Sequence, residues 1–340
     1  MQYQKVERAH IVPRAYLRGF ADDDERIALR MVEGGDQVVT SINNAAVRKA
    51  FYRRTRPDGT PIDDIEWAMS RLESHVAPLL RELEDRWPLA YGDKAILAEF
   101  AALQLVRSPR WRAWHDQFVD KTVDEWRRGE GLPESAVEAS DDELHRWIER
   151  AANQIRGDTQ RHVKMLALLG KLASILGSMN WTLLRFERPL VATSDHPVHL
   201  WPIERRASRP ELGRLNAGIL PTLEVRLPVS AHAALLMTCI PEPDPPAHVA
   251  GKRQHLRNLN AFTIAEAERQ WFHCPRVSPP TIDGILAPLS SQLYAGYDGR
   301  AAWQSPLRQE VSRRIQPRIG EELRPNDQIE IVRVNSRARH

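Results

Sequence analysis

Cysteine is almost absent from this chain: only Cys239 and Cys274 occur in 340 residues. Two such distant thiols cannot build a disulfide framework or a close-spaced zinc pair, so both read as small buried hydrophobes in a reducing compartment. Long apolar runs are missing as well. The nearest, MLALLGKLASILGSMNWTLL, is interrupted by Lys171 and by serines, which suits a buried helix running into a strand rather than a bilayer crossing. Residues 1–20 carry no continuous apolar core followed by a small-residue cleavage site, so cytoplasmic residence and no membrane partner are the expectation. Charge of one sign is lacking too. The 48 Lys and Arg nearly balance 45 Asp and Glu, leaving +3, which is no global field for nucleic acid. The chain also has no Gly-rich phosphate loop, His-Glu-x-x-His or Gly-x-Ser-x-Gly, so nucleotide hydrolase, zincin and serine esterase readings lose their usual support.

What is present patterns into three regions. RIALRMV and QVVTSI are β-rich runs joined by EGGD, whose glycines supply the positive φ of a tight turn, so a hairpin is expected early. Ile65, Met69, Leu72, Val76 and Leu79 recur at helical spacing behind Asp63 and Asp64. A second helix follows from about Asp93, interrupted at Pro109, and two or three more reach about residue 180. From Trp181 the pattern changes to short β-like runs with prolines, interrupted by one helix expected over VAGKRQHLRNLNAFTIAEAERQWF. The expected fold is α+β: a central helical bundle flanked by an N-terminal hairpin and a C-terminal, mostly antiparallel sheet. It forms one domain over 1–280, β-rich to 60, helical over 61–180 and β-rich again to 280. Residues 281–340 read as a loop-rich basic extension, with nine Arg against five acids from Arg300 onward, able to meet phosphate or to stay solvated.

Four placements can carry chemistry, and each has a structural alternative. His10 precedes Pro13 in HIVPRAYLRGF, at the mouth of a short helix with Tyr16, Leu17 and Phe20 inward, where it addresses an anion or merely packs. Glu66 and Glu73 lie seven apart on one side of a helix, reaching into a site or pairing with arginine. In QLVRSPRWR, Arg107 and Arg110 surround Pro109, placed to clamp a carboxylate or phosphate or to pair with Glu66 or Glu73. LVATSDHPV ends an apolar run with Thr193, Ser194 and Asp195, at a cleft or in an Asx turn.

In linear order, HIVPRAYLRGF, AFY, the Glu66/Glu73 helix, QLVRSPRWR, TSDHPV, LEVRLPVSAHAALLM and NLNAFTIAEAERQWF resemble the bacterial domain-of-unknown-function family numbered four-two-three-eight. The resemblance covers roughly residues 8–275, and its most specific pieces are His-x-Val-Pro-x-x-Tyr-Leu-x-x-Phe and Thr-Ser-Asp-x-Pro-Val. It implies that His10, Tyr16, Arg107, Ser194, Asp195, Pro197 and Asn260 occupy the family's recurrent positions, and it implies no reaction.

Two functions fit these residues. In the first, a hydrolase brings together His10, Asp195 and Glu66 as acid/base groups or as ligands of Mg or Mn. Arg107, Arg110, Ser194, Tyr16 and Asn260 then hold a phosphodiester or other anionic substrate. In the second, the same residues form a structural polar network in a non-catalytic module that binds nucleic acid or protein. If His10, Asp195 and Arg107 share an open cleft, catalysis is favoured; mutual burial favours the module.

Overall fold

The computed structural model describes residues 8–55, 58–133, 136, 140–202, 222–239, 248–283 and 286–293. The basic stretch from Arg300 lies outside the described residues. The chain begins with strand β1 (Arg8–His10), a single helical turn α1 (Arg14–Leu17) and a 3-10 turn (Arg18–Phe20). The hairpin follows as β2 (Arg26–Met31) and β3 (Val38–Ser41), antiparallel, with Gly34 and Gly35 both at positive φ in the connection. Then come β4 (Val47–Lys49), β5 (Arg54–Thr55) and β6 (Pro61–Ile62).

Helices fill the middle: α2 (Asp64–Arg81), α3 (Tyr91–Val106), α4 (Pro109–Arg127), α5 (Asp141–Arg156) and α6 (Asp158–Ser178). Helix α2 buries Ile65, Met69, Val76 and Leu79 on one stripe. Helix α3 is buried around most of its circumference from Leu97 to Val106 and packs along α6, which makes it the central rod of the helical layer. Ser108 caps α4, its hydroxyl accepting from the Trp111 amide, and Pro109 follows at the first helical position, where a missing N–H costs nothing. Pro109 therefore starts a new helix, and the interruption expected there is found. Ser140 and Glu143 form a capping box at α5, and Gly157 separates α5 from α6.

The second half gives β7 (Asn180–Arg185), β8 (Thr193–Ser194), β9 (His199–Pro202), β10 (Thr222–Ser230), β11 (Ala233–Thr238), β12 (Val249–Ala250), α7 (Arg253–Glu266), β13 (Gln270–His273) and α8 (Leu289–Leu293). One sheet has the order β12-β7-β11-β10-β9, antiparallel except for the β12/β7 pair, and its strand β11 is buried at every residue. The other, β3-β2-β13-β8, joins the early hairpin to late strands. Short ribbons β1/β4 and β5/β6 complete the strands described. A large apolar cluster unites both sheets with the helices through Tyr16, Phe20, Ile27, Phe100, Leu183, Leu235 and Phe272. The fold is α+β, as expected.

Two local expectations are corrected. The helix expected over 249–272 stops at Glu266, and QWFH becomes strand β13, because pairing to β2 and β8 outweighs local helical periodicity. His10 belongs to a strand, not to a helix mouth.

Candidate active site

Strand β1, the turn after it and one face of α2 enclose a cleft of about 430 Å³. Residues alternate across a strand, so Arg8 and His10 emerge on one side of β1, and both line the cleft. Arg14 and Arg18 follow at helical spacing. Opposite them, Glu66, Ser70, Glu73 and Ser74 form the polar stripe of α2 beside its buried one.

Arg107, at the end of α3, is the bracket of this site and is only 2% exposed. Its Nη1 donates to Glu73 Oε1 (2.6 Å), its Nη2 to the His10 carbonyl (2.5 Å) and its Nε to Tyr52 Oη (3.1 Å). The Tyr52 hydroxyl in turn donates to the Arg107 carbonyl (3.1 Å). Burial works against the guanidinium charge, but Tyr52 and Glu73 more than offset it and raise the pKa. Arg107 thus ties β1 to α2 and α3 as a permanent cation.

Two groups in the cleft are left with free capacity. His10 Nε2 and Glu66 Oε1 are buried and have no hydrogen-bond partner. The His10 pKa is lowered, first by burial and then by Arg14, Arg107 and Arg8, against a hydrogen bond to the Asn43 backbone that raises it. A bond that raises an imidazole pKa is one the ring donates, so with Nε2 unpartnered the proton sits on Nδ1. Nε2 then carries a lone pair. Burial pushes Glu66 up to about 7, with Glu73 and Asp63 adding to the rise and Arg107 opposing it. Arg8 and Arg14 are held by amide oxygens, of Asn44 (2.8 Å) and Asn43 (2.7 Å). Among the described residues neither has a carboxylate partner, and both line the cleft as cations. Arg18 is paired with Glu25 at 2.8 Å.

The other candidates lie elsewhere. Asp195 does not line the cleft: Oδ1 accepts from the Glu268 amide (2.9 Å), and Oδ2 from the amides of Arg269 (2.9 Å) and Gln270 (3.3 Å). Ser194 Oγ donates to the His196 carbonyl and accepts from the His196 amide, closing a local turn. Asn260 Oδ1 accepts from the Ala192 amide, while Nδ2 donates to the carbonyls of Leu190 and Pro280. Tyr16 Oη donates to the Pro228 carbonyl (2.7 Å) and so accepts from Thr193 Oγ1 (2.7 Å). Arg110 is bound to the Glu266 side chain (2.7 Å) and carbonyl (2.8 Å). The expected convergence of His10 with Asp195 is therefore replaced by two separate assemblies, a cleft and a buried clamp. Sequence reasoning missed Arg8 and Arg14 as cleft residues; the Arg-x-His alternation and the i, i+4 step from Arg14 to Arg18 were the available signals. Among the described residues no group of three or more His, Cys, Asp or Glu is placed to hold a metal ion. No helix described is long and apolar enough to cross a membrane.

The family model described as "Protein of unknown function (DUF4238)" matches residues 8–276, most of the chain, and the chain belongs to that family. No curated protein and no solved structure matches it.

Proposed function

We propose that the cleft is a general acid–base site that hydrolyses a phosphodiester or a related anionic substrate. The observation that carries this reading is the pair of buried, unpartnered atoms, His10 Nε2 and Glu66 Oε1, in one cleft rimmed by Arg8 and Arg14. The two arginines attract and orient the anion. Neutral His10 takes a proton from water as its oxygen bonds to phosphorus. The bond from phosphorus to the leaving oxygen then breaks, and protonated Glu66 gives that oxygen its proton, so the products are a phosphomonoester and an alcohol. Exchange with solvent returns the His10 proton and restores Glu66. Glu66 and Glu73 are also the hard oxygen donors that Mg or Mn would take, so the assay includes arms with each ion and with chelator.

The test is turnover of bis(p-nitrophenyl) phosphate and of an RNA oligonucleotide by the full chain, beside His10→Ala and Glu66→Gln. Each variant is expected to lose roughly 10²–10⁴-fold in kcat/KM with no loss of melting temperature. The rate requires His10 deprotonated and Glu66 protonated, so kcat/KM rises with pH through a value below 6.5 and falls through about 7. Glu66→Gln should abolish the alkaline limb. Binding of either substrate without turnover under every ion condition would leave a recognition module instead.

A further inference from the structure

A second cleft of about 430 Å³ lies between helix α7 and the sheet that contains β2 and β13, away from the His10 cleft. Its floor follows from register. Trp271 stands opposite Arg30 and His273 opposite Ala28 in the antiparallel pair, so Trp271 and His273 share one sheet face while Phe272 turns into the core. The Trp271 and His273 rings are 5.2 Å apart, and the Arg30 guanidinium lies 5.8 Å from the Trp271 ring centre. Ala261 and Ile264 of α7 supply an apolar wall, and Thr281 closes the rim.

Two features of this cleft await a ligand. His273 is 1% exposed, its Nδ1 is 2.8 Å from the Cys274 carbonyl oxygen, and its Nε2 is buried without a partner. A carbonyl can only accept, so the proton is on Nδ1 and Nε2 is an acceptor lacking a donor. Leaving such an atom unsatisfied costs free energy that a ligand N–H or O–H would recover. Arg30 is exposed, and no hydrogen bond or carboxylate among the described residues occupies its guanidinium. Diagonal positions on an antiparallel pair are about 7–8 Å apart, a span that one substituted benzene ring covers.

We propose that this cleft is a ligand site for a small aromatic carboxylate carrying a hydroxyl group. The carboxylate meets Arg30, the ring packs between Trp271 and Ile264, and the hydroxyl donates to His273 Nε2. The arrangement is concave, mostly apolar and fixed by two polar contacts, which is how small-molecule sites are built. It is independent of the acid–base reading of the first cleft.

The probes are 4-hydroxybenzoate and benzoate, titrated calorimetrically into the full chain. The expected result is saturable one-to-one binding of 4-hydroxybenzoate, with benzoate weaker by about tenfold or more because it leaves Nε2 unsatisfied. Arg30→Gln, a change at an exposed side chain, should weaken 4-hydroxybenzoate by about tenfold. Arg14→Gln should leave it unchanged. Absence of saturable binding overturns the proposal, as does equal affinity for the two probes. Binding that survives Arg30→Gln but fails in Arg14→Gln also overturns it, since the ligand would then occupy the first cleft.

Discussion

The Asp195 carboxylate accepts three consecutive backbone amides from Glu268 to Gln270, and that commitment fixes its role more firmly than its neighbours in sequence do. These amides sit where α7 ends and β13 begins, so a single side chain satisfies donors that have left the helix and not all joined the sheet. Asp195→Asn replaces one acceptor oxygen by an NH₂ group facing an N–H donor. Unfolding in urea should show a loss of about 1–3 kcal/mol, with no change in turnover per folded molecule. A variant as stable as the parent would mean that the clamp contributes nothing. In the sequence, His10 and Asp195 have the same signature: a polar residue beside a proline-directed turn at the edge of an apolar element. What separates them is the set of partners. The amides that bind Asp195 lie more than seventy positions away, and no spacing rule reaches that far. Glu66 and Arg107 were legible as cleft residues because helical periodicity alone puts Glu66 beside Glu73, and Glu73 then receives Arg107.

Elements whose apolar pattern is also their packing pattern were readable throughout. Helix α2 is of this kind, since its buried stripe has the helical period; the β2/β3 hairpin was legible instead from its β-rich runs and paired glycines, and β7 from a continuous apolar run. QWFH was not, because four residues following a helix with no turn residues between them have no local mark of a strand. Its identity comes from β2 and β8 on either side. The same non-local logic governs Phe186, which follows β7. Its ring is buried, and a Cβ placed on Gly251 would overlap it, so the glycine is the floor on which the ring lies. Phe186→Ala should cost roughly 3–5 kcal/mol and Gly251→Ala about 1–3 kcal/mol. The double variant should cost less than the sum, because the added methyl enters the space the ring has left. Strict additivity in urea unfolding would show that the two residues do not share that space.

At the scale of the molecule, two half-buried carboxylates in different parts of the fold are shifted into the same range. Glu66 is held at about 7 by burial, with Glu73 and Asp63 reinforcing the shift and Arg107 resisting it. Glu268 is also held at about 7, by burial and then by Asp195, against Arg110 and Arg48. Both start from 4.5 when exposed, so between about 4.5 and 7 the folded chain keeps protons that the unfolded chain has released. Stability therefore falls as pH rises across that window and the penalty is constant above it. The imidazoles of His10, His196, His199, His255 and His273 have the opposite sign, because their pKa values are lowered and the unfolded chain takes up protons first as pH falls below 6.5. A parent melting curve mixes the two. The combined variant Glu66→Gln, Glu268→Gln isolates the carboxylates: glutamine keeps the oxygen that accepts from the Arg110 amide at position 268, and at position 66 it removes a charge from an atom with no partner. Its melting temperature should match the parent near pH 4.5 and exceed it by a few degrees at pH 8, with the gap opening between those limits. A gap that is constant across pH would assign the difference to packing, and a gap that closes on raising the pH would mean that the native fold prefers both carboxylates ionised.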